Sequence, residues 1–339
     1  MKFGPVPVEE AVGRILAHNL ADAQGNRLFR KGRRLTPEDV ARLKAEGYRE
    51  VVVAELEPGD IGEDEAARRI ALACEGPNLR RMPAAGGRVN FLADTTGVFL
   101  VEIAPLEQLN RLPGITMATL PRGTVVRARQ IVASLKIIPF GLPEAIVARA
   151  EALLQKNGPL MGVYPFQPRR VALILSGHPA VWPRLIADFE GPLQERVLAC
   201  GGIWVGTQTV RYEESELAQA MEAALGQGAD FLILAGETAI MDEEDIAPRA
   251  IRRIGGRVEA FGAPVDPGNL LLIAYYGEIP ILGAPGCARS RHRNVVDWVI
   301  PRLMAGLRLT REEIASMGHG GLLEDVEERP APRWISSSP

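Results

Sequence analysis

The feature that most constrains the fold lies in the second half of the chain, where short apolar runs alternate with amphipathic segments. Four runs are almost entirely apolar: "VALIL", "DFLIL", "LLLIAYY" and "IPIL". Such runs, bounded by glycine, are typical of strands covered on both faces. The segments between them have helical spacing, as in Leu185, Phe189, Leu193 and Val197. This alternation predicts an α/β domain with a mostly parallel sheet over residues 171–307.

The first half, residues 1–155, is less regular and predicts a smaller α+β region of one or two modules. Its clearest element is "TPEDVARLKAEG", which predicts a capped helix with Thr36 as N-cap, Pro37 at the first helical position, Asp39 at the third and Gly47 at the end. Residues 156–170 have prolines and no periodicity, so we assign them as a linker.

The end of the chain is predicted to be less ordered. Pro301 predicts a kink or a break in the last long helix. Residues 308–339 then contain a short helix, "TREEIASMG", followed by a Pro- and Ser-rich tail that we expect to be disordered.

Charge and composition limit the classes of partner. The formal net charge of −3 provides no general attraction for nucleic acid or for an anionic membrane, so any basic site must be local. Three cysteines far apart predict neither a zinc site nor a disulfide framework, which favours the reducing cytoplasm. We find no signal peptide and no apolar run long enough to cross a bilayer, and we expect a soluble protein.

Three loops follow strands that should end at the same edge of the sheet, where open α/β sheets bind their ligands. They are residues 176–179 ("SGHP"), 235–245 ("AGETAIMDEED") and 283–290 ("GAPGCARS"). In the first, Ser176 and Gly177 could present a hydroxyl and N–H groups to an anion, although the same residues also suit a plain strand-to-helix turn.

The second loop is acidic and the third is basic. Asp242 and Asp245 belong to a run of four carboxylates, which could hold Mg²⁺ on a polyphosphate or could simply complement a helix dipole. In the third loop Ser290 is predicted to cap a helix, and Arg289 and Arg293 to surround its start. Amide groups, dipole and guanidinium ions there favour a bound phosphate, whereas arginines at a helix start oppose the dipole. The alternative is that these arginines extend into solvent or pair with the acidic loop.

Taken in order, "DFLILAGETAIMDEEDIAPRAI", "GAPVDPGNLLL" and "IPILGAPGCARS" resemble the molybdopterin-binding domain of molybdopterin adenylyltransferases and molybdenumtransferases. The resemblance implies a three-layer α/β/α fold over roughly residues 169–306. It covers the strand-end loop, the Asp-x-Thr-Pro helix start, the Pro-Gly turn and the Gly-x-Pro-Gly loop of that family. The stretches "GRVN", "LKIIP" and "GHGGL" make the chain similar to a bacterial subgroup of stand-alone molybdopterin-binding proteins.

The resemblance also implies a ligand and its contacts. The ligand is molybdopterin or its adenylylated or molybdenum-loaded form, with Mg²⁺ and ATP if the protein is a transferase. Asp242 and Asp245 are the implied catalytic residues and metal ligands. The implied ligand contacts are Ser176, Gly177, Gly236, Thr238, Pro267, Gly268, Gly283, Pro285, Gly286, Cys287, Arg289, Ser290 and Arg293.

Several departures from the family pattern bear on catalysis. Ala235 replaces a glycine, Glu237 adds a carboxylate that would repel a phosphate, and Cys287 with Ala288 replaces Asn-Pro. Binding of the pterin and its phosphate tolerates such changes more readily than nucleotidyl transfer does, because the transfer reaction requires closely positioned reacting groups. No general base is positioned for Cys287, so we interpret it as a small turn residue.

Three functions therefore stay open. The first is a molybdopterin-binding protein in molybdenum cofactor biosynthesis, acting by adenylyl transfer or molybdate insertion. The second is a non-catalytic carrier or sensor, whose partners would be other cofactor-maturation proteins or a molybdoenzyme. The third is a nucleotide pyrophosphatase of the competence-damage protein type, whose helix start is matched only weakly by Glu244 and Asp245. The fold commonly forms homo-oligomers.

Overall fold

A computed structural model describes residues 1–266 and 269–322. Contacts between Cα atoms divide the chain into two compact units, Met1–Tyr164 (unit 1) and Pro165–Pro339 (unit 2). Within the described residues, no helix combines the length and the apolar character needed to cross a membrane. Pro267, Gly268 and the tail beyond residue 322 lie outside the described residues, so the expectations for them stay predictions.

Unit 1 combines many short strands with four α-helices within the described residues. The helices are α1 (Pro37–Ala45), α2 (Glu63–Cys74), α3 (Ile103–Asn110) and α4 (Glu144–Asn157). The strands are β1 (Lys2–Pro7), β2 (Ile15–Leu16), β3 (Leu20–Ala21), β4 (Arg27–Phe29), β5 (Glu50–Glu55), β6 (Asp60–Gly62), β7 (Leu79–Arg81), β8 (Arg88–Ala93), β9 (Gly97–Val101), β10 (Ile115–Thr119), β11 (Thr124–Val126), β12 (Ile131–Ile137), β13 (Gly141–Pro143) and β14 (Met161–Pro165).

The first part of unit 1 has a small core of its own. β5 lies between β1 and β2 in an antiparallel sheet, and the β3–β4 hairpin and α1 complete this part. Its centre is formed by fully buried Leu16, Leu35 and Leu43. The predicted cap of α1 is confirmed, because the Thr36 hydroxyl accepts from the Asp39 N–H and the Asp39 carboxylate accepts from the Thr36 N–H.

The second part of unit 1 packs α2 and α4 against antiparallel sheets. The largest has the order β10-β12-β8-β7. Along β8, Val89, Phe91 and Ala93 are buried while the residues between them are partly exposed, which is the alternation of a sheet covered on one face. The strand β14 falls inside residues 156–170, which therefore contain a helix end and a strand rather than an irregular linker up to Pro165.

Unit 2 is built on one six-stranded sheet with the order β16-β15-β17-β20-β19-β18. The strand pairs from β16 to β20 are parallel, and the two pairs that involve β19 are antiparallel. The strands are β15 (Arg170–Ser176), β16 (Ile203–Val210), β17 (Phe231–Gly236), β18 (Arg257–Ala263), β19 (Asn269–Tyr276) and β20 (Ile279–Gly283). The helices are α5 (Trp182–Ala199), α6 (Glu214–Gly226), α7 (Ile246–Arg253), α8 (Val296–Met304) and α9 (Arg311–Ser316).

The two sides of this sheet belong to different hydrophobic clusters, which explains the continuous apolar runs. Val171, Leu173 and Leu175 of β15 pack in one cluster with α5 and α8. Ala172 and Ile174 pack in the other with α6 and α7. Burial of a side chain as large as leucine stabilises the fold by about 2 kcal/mol, so apolar side chains on both faces of β15 favour a sheet covered by helices on both sides. The structure thus confirms an α/β unit with helices and a largely parallel sheet.

Two helix starts differ from the sequence predictions. α7 begins at Ile246, so Asp242 and its neighbours lie in a turn before the helix rather than in its first turn. α8 begins at Val296 rather than within the arginine cluster, and Ser290 is not its cap. Pro301 lies inside α8 without ending it.

Candidate functional site

The three predicted loops meet at one edge of unit 2, because β15, β17 and β20 are parallel and end together. Ser176, Gly236 and Gly283 are the last residues of the three strands. The backbone N–H of Ala284 donates to the carbonyl of Leu234 at 2.7 Å. A Cβ added to Gly236 would lie 2.9 Å from the Ser176 hydroxyl, so only glycine allows this approach.

The first loop is held by internal hydrogen bonds. Ser176 is buried, and its hydroxyl lies 3.5 Å from the Ala235 carbonyl. The Gly177 N–H donates to the Val210 carbonyl at 3.0 Å. The Gly177 N–H is therefore not available to an anion in this conformation, contrary to the expectation from the sequence.

Glu237 joins the first loop to the second. Its carboxylate accepts from the His178 N–H at 2.9 Å, and its own N–H donates to the Ser176 carbonyl at 2.9 Å. The sequence predicts that this side chain would repel a phosphate. In the structure, the Glu237 carboxylate accepts a hydrogen bond from the backbone of the turn at which the sequence suggested a bound anion. The protein's own carboxylate therefore occupies part of that position.

Asp245 is the most strongly bonded carboxylate of the acidic loop. It is the N-cap of α7, and Oδ1 accepts from the Tyr212 hydroxyl at 2.6 Å and from the Ile246 N–H at 2.7 Å. Oδ2 accepts from the Met241 N–H at 3.0 Å. Both oxygens therefore take part in holding the loop and the start of the helix.

These contacts shift the pKa values of both partners. Burial alone would raise the pKa of Asp245, but the hydrogen bonds from Tyr212, Met241 and Ile246 outweigh it and lower that pKa below its ordinary value. Burial, followed by the hydrogen bond to Asp245, raises the pKa of Tyr212. Asp245 is therefore ionised and Tyr212 neutral at neutral pH.

Asp242 and Thr238 are exposed residues of the same loop. The Asp242 carboxylate accepts from the Glu244 N–H at 2.8 Å, closing a tight turn. Among the described residues, no group of three or more His, Cys, Asp or Glu side chains is placed to hold a metal ion. Both oxygens of Asp245 already accept hydrogen bonds from the protein, and Mg²⁺ binding by Asp242 and Asp245 stays a prediction from the sequence.

The third loop begins with a close backbone contact. A Cβ on Gly283 would lie 2.8 Å from the Ile240 side chain, so this glycine lets the second and third loops touch. Pro285 precedes a short 3₁₀ turn, Gly286–Arg289. Cys287 is half-buried in this turn, where its sulfur accepts from the Asn269 amide at 3.3 Å.

Two arginines of this region, Arg289 and Arg291, are directed to α5. Arg291 pairs with Glu195 at 2.8 Å, and both side chains are largely exposed. The guanidinium of Arg289 lies 4.8 Å from the Phe189 ring centre and 3.8 Å from the Asp188 carboxylate. Arg293 lies over Trp298, in the first turn of α8, at 5.9 Å. For Arg289 and Arg291, pairing with α5 thus takes the place of the pairing with the acidic loop that the sequence suggested.

Two polar atoms beside this loop are buried without a hydrogen-bond partner: Nε of Arg289 and Oδ1 of Asn269. Asn269 follows the predicted Pro267–Gly268 turn, which lies outside the described residues. A buried polar atom without a partner costs free energy, so such atoms indicate where an additional acceptor or donor would stabilise the structure.

The sequence prediction missed Arg196, which organises the third loop from α5. Its side chain is 11% exposed and pairs with Asp297 at 2.8 Å. It also donates to the carbonyl of Ser290 at 2.8 Å, and more weakly to those of Ala288 and His292. Arg196 is one polar residue on an amphipathic helix, and no local pattern distinguishes it from an exposed arginine.

Asn294 is the second residue that the sequence prediction missed. It is 3% exposed, its amide donates to the carbonyls of Cys287 and His292, and its Oδ1 accepts from the Val296 N–H at 3.1 Å. It therefore closes the loop and starts α8, the role that the sequence predicted for Ser290. Ser290 instead accepts from the His292 N–H at 3.1 Å.

Comparison with known proteins gives limited matches. A family described as a domain of unknown function (DUF8806) matches residues 5–55. No curated protein matches the chain. A solved molybdenum cofactor biosynthesis protein B is 13% identical, covering 41% of this chain and 94% of its own, with a TM-score of 0.31. The molybdopterin biosynthesis enzyme MoaB of Thermus thermophilus is 15% identical over 40% and 89%, with a TM-score of 0.31. CinA of Thermoplasma acidophilum is 15% identical over 36% and 90%, with a TM-score of 0.26.

Proposed function

We propose that unit 2 is a three-layer α/β/α molybdopterin-binding domain and that the protein binds molybdopterin, in free, adenylylated or molybdenum-loaded form, during molybdenum cofactor biosynthesis. The observation that supports this proposal is the meeting of residues 176–179, 235–245 and 283–290 at the carboxyl ends of β15, β17 and β20. Ligands of open α/β sheets bind at this edge, where the order of the strands reverses. The second and third of these loops carry two of the three motifs on which the family resemblance rests.

In this proposal, small residues of the second and third loops surround the ligand. Gly236, Thr238, Gly283, Pro285 and Gly286 lie on the second and third loops, where close backbone contacts leave little side-chain bulk. Ser176, at the end of the neighbouring strand β15, is buried beside Gly236. Cys287 contributes a half-buried surface, and its sulfur accepts a hydrogen bond from the Asn269 amide.

Arg289 is the residue we assign to the ligand phosphate. Its Nε is buried without an acceptor, and its nearest carboxylate oxygen, on Asp188, lies at the long distance of 3.8 Å. The Arg289 side chain is 37% exposed, so a phosphate oxygen could accept a charge-assisted hydrogen bond from its accessible guanidinium nitrogens. Arg291 differs because Glu195 already accepts from it through both carboxylate oxygens.

The proposal is for binding rather than group transfer. A transferase would need carboxylates free to hold Mg²⁺, yet both oxygens of Asp245 accept hydrogen bonds from the protein itself. The roles of Asp242 and Asp245 as catalytic residues and metal ligands stay predictions from the sequence. A binding protein would carry the pterin to other maturation proteins or to a molybdoenzyme.

Calorimetric titration of the full chain with molybdopterin under anaerobic conditions tests the proposal. We expect binding without Mg²⁺, and we expect Arg289→Ala to weaken it about tenfold, which is the value of one charge-assisted hydrogen bond. Arg291→Ala is the matched control, because it removes an arginine of the same loop that is already paired. Thermal melting of both variants shows whether the fold is retained.

The other outcomes are informative. Absence of pterin binding in the wild-type protein contradicts the proposed function. Binding that is equally weakened in both variants assigns the phosphate elsewhere. Mg²⁺-dependent conversion of ATP and molybdopterin to products would show an enzyme and return Asp242 and Asp245 to the mechanism. A parallel assay for nucleotide pyrophosphate hydrolysis tests the competence-damage type activity.

A further inference from the structure

Unit 1 contains a concentration of positive charge that the proposed function does not use. Residues 27–34, "RLFRKGRR", include five Arg and Lys residues and no carboxylate, in a chain whose formal net charge is −3. We call this stretch the basic hairpin segment. It begins with β4 of the β3–β4 hairpin, and residues 27–33 line a surface cavity of about 520 Å³.

The backbone of the basic hairpin segment is held by hydrogen bonds that do not involve the side chains of Arg27, Arg30 and Lys31. The Lys31 N–H donates to the Asn19 side chain at 2.9 Å, and the Gly32 N–H donates to the Leu16 carbonyl at 2.7 Å. The Arg33 carbonyl accepts from the Leu16 N–H at 2.8 Å. These three cationic side chains are therefore not needed to form the hairpin.

Four of the five cations have no carboxylate partner among the residues that the structure describes. One of them, Arg34, donates to the Gly13 carbonyl at 2.6 Å. The other three are Arg27, Arg30 and Lys31, all with exposed side chains. The hairpin's own carboxylate, Asp22, accepts instead from the N–H groups of Gln24 and Asn26 in the turn. Like charges placed close together without partners repel one another, so the arrangement costs stability unless an anion binds there.

Arg33, in the same segment, shows how its arginines can bind a carboxylate. Arg33 donates from Nε and from one terminal nitrogen to the two oxygens of Asp39, at 2.7 and 2.9 Å, and its guanidinium lies 5.0 Å from the Phe29 ring centre. This is the bidentate geometry in which arginine binds a carboxylate. Arg27 and Arg30 carry the same fork.

The surface fits an acidic protein segment better than a nucleic acid. Proteins that bind duplex DNA commonly neutralise about 6 to 10 phosphates, more than the five cations of this segment supply. Single strands bind on exposed aromatic side chains, whereas Phe29, the aromatic residue of the cavity lining, is 7% exposed. Three closely spaced cations can instead pair with neighbouring glutamate or aspartate side chains of one peptide.

From these observations we propose that the basic hairpin segment is a docking surface for an acidic segment of a partner protein, contacted through Arg27, Arg30 and Lys31. This surface lies within residues 5–55, which match the family of unknown function, and it does not depend on pterin binding by unit 2.

Fluorescence anisotropy of a short labelled oligoglutamate peptide with the full chain tests the proposal. We expect saturable binding at low salt that weakens as salt is added, because exposed charges are screened over about 10 Å at 0.1 M ionic strength. The triple variant Arg27→Ala, Arg30→Ala, Lys31→Ala should lose at least tenfold in affinity. The matched control is Arg111→Ala, Arg149→Ala, Lys156→Ala, which removes the same number of exposed cations from other elements of unit 1.

Further measurements keep the result interpretable. If the triple variant melts at a lower temperature than the wild type, the single exposed substitution Arg30→Glu replaces it, and the same loss of peptide affinity is expected. Equal peptide affinity in the triple variant and the control overturns the proposal, as does the absence of binding at low salt. Tighter binding of oligothymidylate than of the peptide would assign the surface to nucleic acid instead. Pterin affinity should be unchanged in every variant.

Discussion

Unit 2 has an acidic loop (residues 235–245) and a basic loop (residues 286–294). Each is a run of like charge in the sequence, but their charged side chains make different kinds of contact in the structure. In the acidic loop, Asp242 and Asp245 satisfy backbone N–H groups of their own loop. In the basic loop, Arg291 pairs on the surface with α5, while the backbone is held by Arg196 from outside the loop. A run of like charge therefore does not reveal which of its members support the fold.

The largest effect should come from the residue outside both loops. Arg196→Met removes the partner of Asp297 and three hydrogen bonds to loop carbonyls, in a side chain that is 11% exposed. Breaking a largely buried ion pair leaves one charge unpaired, so we expect the free energy of unfolding to fall by about 3 kcal/mol. Urea denaturation measures this change.

Arg184→Met on the same helix is the control for Arg196→Met, because Arg184 is exposed. It should leave the unfolding midpoint nearly unchanged. Equal midpoints for the two variants would show that the basic loop does not depend on α5, and the contrast between the loops would disappear.

Asn294 and Ser290 provide the next comparison, within the basic loop itself. Asn294→Ala leaves the Cys287 and His292 carbonyls without their amide donor and removes the acceptor of the Val296 N–H, so we expect a loss of about 2 kcal/mol. Ser290→Ala removes one exposed hydrogen bond and should cost about 0.5 kcal/mol or less. A larger cost for Ser290→Ala would restore the helix start that the sequence predicts.

The acidic loop offers the corresponding test. Asp245→Ala removes the cap of α7 and the partner of Tyr212, so we expect a loss of about 1 to 2 kcal/mol at neutral pH. Asp242→Ala, in the exposed turn, should cost about 0.5 kcal/mol or less. If Asp245 were chiefly a metal ligand, its removal would relieve repulsion between carboxylates and would not destabilise the metal-free protein.

The comparison of the wild type with Asp245→Ala also predicts how the stability depends on pH. The folded-state pKa of Asp245 is lowered, so its contribution is complete above the unfolded value, about 3.9, and is lost as the pH falls through the folded value. The difference in unfolding free energy between the wild type and Asp245→Ala should therefore be constant near neutrality and shrink only in acid. Denaturation at a series of pH values measures it, and a difference that grows in acid would contradict this role.

Local patterns predicted the parts of the molecule that local interactions determine. The strands β15 and β17 follow from apolar runs, and the start of α1 follows from Thr36 and Asp39, which lie three residues apart. The rule that parallel strands end at one edge of the sheet brought together three loops that do meet there. The predicted start of α8 was wrong because the real start depends on Asn294 and Arg196, whose hydrogen-bond partners are determined by tertiary packing. Tyr212 was missed because its partner Asp245 is 33 residues away.

The smallest expected effect completes the comparison. Arg291→Ala breaks the pair with Glu195, whose side chains are 67% and 57% exposed. The hydrogen bonds between the two raise the pKa of Arg291 and lower that of Glu195, but water and salt screen pairs at the surface, and holding two long side chains together costs entropy. We therefore expect no resolvable change in the unfolding midpoint, at low or at high salt. A clear loss at low salt that vanishes at high salt would mean that the basic loop, like the acidic one, uses its own charges to hold its fold.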